Sequence, residues 1–103
     1  MAGRRQHHLK VAVGTGDTRR VVTLSEGRTI WALDEMLKAG SRGCTPIDNP
    51  APRWSSYVHK LRARYGIHIE TVLEAHGGRF KGTHARYILR DQVTVLERAD
   101  GST

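Results

Sequence analysis

At 103 residues, with 38% apolar side chains, the chain can bury one modest core and reads as a single domain with loose ends. A mean hydropathy of −0.51, with no apolar run near the roughly 18 residues of a membrane span, excludes a helical membrane protein. The lone cysteine, Cys44, permits no internal disulfide, and the net charge of +7, from 17 Lys/Arg against 10 Asp/Glu, points to a polyanionic partner.

The charge is unevenly spread. Residues 1–24 carry 5 basic and 1 acidic side chains, and residues 53–90 carry 8 and 2. The stretches between and after them are slightly acidic. Two basic blocks of this kind suit a surface that binds nucleic acid. No stretch resembles a lipid-binding amphipathic helix, so no membrane partner is expected. The basic start, MAGRRQHHLK, lacks the apolar run of a signal peptide, so the expected location is the cytoplasm, at the nucleoid.

Residues 1–8 read as a disordered basic arm, 9–97 as the domain, and 98–103 as a flexible tail. Leu9, Val11 and Val13 alternate with polar or small residues, which predicts a strand. Gly14 to Asp17 is a turn signature, and Arg19 to Leu24 a returning strand. Ser25 predicts a helix N-cap, with Glu26 in the first turn, where the helix dipole favours negative charge. That helix carries Ile30, Leu33, Met36 and Leu37 on one stripe and stops at Gly40. Trp31 lies off the stripe, which predicts cover on a second side, by the N-terminal hairpin. Thr45-Pro46 predicts a very short second helix, Pro46 to Asn49, cut off by Pro50.

Pro52 to Tyr65 (PRWSSYVHKLRARY) predicts the third helix, with Pro52 at its first position and Gly66 ending it. Trp54, Tyr57, Val58, Leu61 and Tyr65 recur at i, i+3, i+4, i+7 and i+11, one apolar stripe facing the core. The opposite face is small, polar and cationic, and no carboxylate occurs anywhere on the helix. Solvated surface helices usually mix both charge signs. A helix that lies in a DNA major groove needs small residues for close approach, donors for base edges and cations for phosphates.

Ile67 to Ala75 predicts a strand, His76 to Thr83 a glycine-rich basic loop, and His84 to Arg90 the returning strand. Gln92 to Leu96 predicts a further strand extending that sheet. Helix, short helix, helix and basic-tipped hairpin is the element order of a winged helix-turn-helix, α+β in class, with an extra N-terminal β-hairpin. The run TPIDNPAPRWSSYVHKLRARYGIHIETVLE, then GGRFKGTHARYILR, resembles the small winged helix domain proteins of bacterial genomes and their prophages. Val58, Leu61, Arg62, Gly66, Ile69 and Glu70 carry the resemblance, which spans about Thr29 to Arg90. It implies DNA binding without catalysis. The expected role is that of a small transcriptional or phage-related regulator. The clipped second helix at Asn49-Pro50 departs from the pattern, because it widens the turn beyond the ordinary three or four residues.

Ser55, Ser56, His59 and Lys60 are the base-edge candidates, and Arg53, Arg62 and Arg64 the phosphate candidates. Arg79, Lys81 and Arg86 are the hairpin candidates, since a glycine-rich loop lets side chains and amides approach a phosphate. Trp54 and Tyr57 belong to the core. The six histidines and Cys44 lack ligand spacing, and no nucleophile-base or paired-carboxylate arrangement occurs, so no metal, cofactor, small-molecule ligand or enzymatic activity is expected. Double-stranded DNA is the expected partner. An adaptor module in a phage-related assembly is the alternative, because fold does not fix function. RNA binding ranks last, for want of exposed stacking aromatics. An edge strand in the N-terminal hairpin permits a homodimer.

Overall fold

Leu9, Val11 and Val13 alternate with polar or small neighbours along β1 (His7–Val13), and this alternation sends all three to the interior, where none is exposed. The structure, a computed structural model, describes residues 7–77 and 82–100. β1 pairs antiparallel with β2 (Arg20–Leu24) through Leu9 opposite Leu24 and Val11 opposite Val22. Its other side is taken by β5 (Val93–Asp100), with Val13 opposite Val93 and Val11 opposite Val95. The register shifts beside Lys10, where Leu96 is the extra residue of a bulge. The sheet order is therefore β2-β1-β5, with β1 in the middle.

This placement corrects several expectations. Gln92 to Leu96 does not extend the C-terminal hairpin but closes the N-terminal sheet. His7 and His8 belong to β1 rather than to a disordered arm; Met1 to Gln6 lie outside the described residues. Arg98 lies within β5 rather than in a tail, and its guanidinium grips Asp34 at 2.8 Å. β1 has no open edge to offer a second copy, which leaves β2 and β5 as the sheet's edges.

The first helix, α1 (Gly27–Ala39), starts two residues after the expected Ser25 cap. Glu26 occupies the N-cap position, its carbonyl accepting the first helical bond from Ile30 at 2.9 Å. Gly40 ends the helix at φ +60°. The expected short second helix is a single turn. Asn49 N–H donates to the Thr45 carbonyl at 2.8 Å, and Asp48 N–H to Thr45 Oγ1 at 2.9 Å. Pro50, with no N–H, cannot continue it. The chain therefore has two α-helices among the described residues, joined by a long turn, where the sequence predicts three.

Asn49 fastens this turn to both helices. Its amide donates to Glu35 Oε1 on α1 at 3.1 Å, and its carbonyl accepts the Trp54 indole N–H at 2.6 Å. Trp54 is thereby fixed as the first residue of α2 (Trp54–Tyr65), so the helix begins two residues beyond Pro52. Trp31 meets this ring, 5.4 Å away between centroids. Trp54 in turn stacks on Tyr87 at 5.9 Å.

The second sheet is a hairpin, β3 (Ile69–His76) and β4 (Gly82–Leu89), paired from Ile69 with Leu89 to His76 with Gly82. Cys44 adds a single bridge to Tyr87, the trace of a third strand on β4. One core joins all parts. It runs from Leu9, Val11, Val13 and Leu24 through Ile30, Leu33 and Met36 to Trp54, Val58, Leu61, Ile69 and Tyr87.

Candidate nucleic-acid interface

Helical periodicity sorts α2 into strips, and the burial follows them. Trp54, Tyr57, Val58 and Leu61 are buried. Ser55, His59 and Ala63, at successive four-residue steps, form the outward ridge, with Ser56 half-buried beside it. Arg53, at the N-cap, is exposed and makes no side-chain hydrogen bond or ion pair among the described residues. This ridge holds no lysine, arginine or carboxylate and nothing larger than an imidazole.

The cations lie on the two flanks, and each is engaged. Toward α1, Lys60 Nζ meets Glu26 Oε2 at 2.9 Å, and Arg64 Nη1 meets Glu26 Oε1 at 2.9 Å. The Lys60 hydrogen bond, helped by the Arg64 charge, holds the Glu26 carboxyl below the usual carboxylate range. Toward the hairpin, Arg62 donates to the Ile69 carbonyl and to Thr71 Oγ1 at 2.8 Å. It thereby ties the helix to the root of β3. A helix without carboxylates is thus not a helix without counter-charge, because Glu26 reaches it from another element.

The C-terminus of α2 is closed by Gly66 in the left-handed region, at φ +64°. Arg20, from β2, donates to the Tyr65 carbonyl at 3.1 Å and to the Gly66 carbonyl at 2.5 Å. A cation on these orphan carbonyls is favoured by the helix dipole. No local sequence signal links Arg20 to residues 65 and 66.

On the hairpin, Arg86 is spent internally. Its guanidinium pairs with both Glu74 oxygens, at 2.6 and 3.0 Å, and with the Arg42 carbonyl at 2.8 Å. The Arg86 hydrogen bond lowers the Glu74 pKa. Arg86, expected as a hairpin contact to DNA, also braces the hairpin against the segment after α1. Arg90 pairs likewise with Glu70. Arg79 and Lys81 lie outside the described residues.

Burial pushes the Cys44 thiol up to about 11, with Glu35 adding to the shift. It stays protonated at neutral pH and is a poor nucleophile. Among the described residues, no group of three or more His, Cys, Asp or Glu could hold a metal ion. No helix among them is long and apolar enough to cross a membrane.

Two helices joined through a turn, with a β-hairpin rooted on the second helix and a bridge from the segment between them, define a winged helix class of architecture. The chain matches the winged helix domain family over residues 22–99 and belongs to it. No curated protein and no solved structure matches it. Winged helix domains are typically non-enzymatic, DNA-binding modules. The matched span runs through β5, beyond the Arg90 limit of the resemblance drawn from sequence, and leaves out β1.

Proposed function

We propose that this protein binds double-stranded DNA as a small bacterial or phage-derived transcriptional regulator. The outward ridge of α2 enters the major groove, with Ser55, Ser56 and His59 at base edges and Arg53 on a phosphate. Lys60, Arg62 and Arg64 flank the groove walls. Arg79 and Lys81, in the segment that links β3 to β4, meet the neighbouring backbone. The observation that carries this reading is the ridge itself. It is exposed, free of carboxylates and built of small side chains, which is what close approach to base edges requires.

The test is duplex binding across a salt series. Affinity should fall by about 0.9 log unit per log unit of salt for each phosphate contacted. Arg53→Ala should weaken binding to every sequence alike, and Ser55→Ala with His59→Ala should change the order of preferred sequences. A flat or absent salt response overturns the proposal. One observation favours the adaptor reading instead. Leu73, on β3, is 74% exposed, a large apolar side chain suited to a protein partner. A hetero-complex that survives high salt and is lost in Leu73→Asp would establish that reading.

A further inference from the structure

Glu26 is the N-cap residue of α1, yet its side chain makes no capping bond. It crosses to α2, where each carboxylate oxygen holds one cation, Lys60 on one side and Arg64 on the other. The side chain is about one-third exposed, as is that of Lys60, so the pair sits at the surface where a phosphate could compete for the same donors. A phosphate diester on this flank faces two cations already shared with an anion. It must displace the carboxylate or accept a like charge beside it. We infer that Glu26 is an affinity-limiting residue that withholds Lys60 and Arg64 from phosphate and so restrains sequence-independent binding. This inference rests on the DNA-binding reading and names a control built into its site.

Two probes test it: retention on heparin, a polyanion without bases, and binding to a random 20-base-pair duplex. Glu26→Gln should elute from heparin at higher salt than Glu97→Gln, which removes one charge from β5 and serves as the matched control. On the duplex it should gain about one phosphate contact. At about 0.1 M salt that is roughly tenfold in affinity, with the salt slope steeper by about 0.9. The gain should vanish when Lys60→Gln and Arg64→Gln are added. Glu26→Ser provides a second version that keeps a good N-cap and guards against loss of folding; it should behave as Glu26→Gln does.

If Glu26→Gln and Glu26→Ser match Glu97→Gln, or if the gain persists without Lys60 and Arg64, the inference is overturned. If the unaltered protein binds no duplex even at low salt while the heparin gain appears, the DNA reading falls and the clamp on these two cations stands.

Discussion

Gly43 lies where the chain passes closest to β4. Its φ is +73°, and a Cβ there would sit 2.6 Å from the Tyr87 carbonyl oxygen and 2.8 Å from Ile88 Cγ1. The next residue explains the close approach. Cys44 N–H donates to the Tyr87 carbonyl at 2.9 Å, and Tyr87 N–H to the Cys44 carbonyl at 2.8 Å. Gly43→Ala should therefore cost about 2 kcal/mol or more, from left-handed strain plus the clash. Gly40→Ala, at φ +60° with nothing within 4 Å, should cost the strain alone. Urea midpoints of the two variants check this, and equal losses would argue against a steric role for Gly43. Read by itself, Ser-Arg-Gly-Cys-Thr-Pro looks like loop. The demand on Gly43 comes from β4, more than forty residues on, and leaves no mark on neighbouring residues.

At the scale of elements, both helices were legible because a 3.6-residue stripe is a local signal. Ile30, Leu33 and Met36, and then Trp54, Tyr57, Val58 and Leu61, are buried as their spacing predicts. Both hairpins were legible as well, β1 with β2 and β3 with β4, but the partner of the last strand was not. Gln92 to Leu96 alternates in a way that suits either sheet, and the observed register sets Val93 opposite Val13 and Val95 opposite Val11. The site was half legible for the same reason. The exposure of Ser55 and His59 follows from helical spacing, whereas the pairing of Lys60 and Arg64 with Glu26 depends on how α1 is laid across α2. β1 shows what such placement is worth. Each of Leu9, Val11 and Val13 contributes about 1.5–3 kcal/mol by burial, a large share of a total near 5–15 kcal/mol. A chain cut back to residue 22, where the family match starts, should lose its cooperative thermal transition, and Leu9→Ala should lose about 2–5 kcal/mol. A sharp transition in the shortened chain would show that β1 is dispensable.

Taken as a whole, the molecule is braced by carboxylates that tie elements together: Glu26 joins α1 to α2, and Glu74 joins β3 to β4 through Arg86. Both have pKa values below the ordinary 4.5. A depressed folded-state pKa adds stability above the unfolded value and loses it as pH falls through the folded one. The urea midpoint should hold from pH 7 to about pH 5 and drop below 4.5. The drop should be shallower in Glu26→Gln with Glu74→Gln. If the doubly altered protein loses as much stability in acid as the original, these pairs do not set its acid limit.

The three-stranded sheet also ties the timetable of folding to that of synthesis. Its middle ribbon comes from the first residues described and one of its flanks from the last, His7 lying opposite Asp100. A nascent chain on the ribosome therefore carries β1 with one side unclaimed until residues 93–100 emerge. Contacts so far apart in sequence slow the final step. A product ended before residue 93 would leave β1 with a bare backbone edge that invites clumping or degradation.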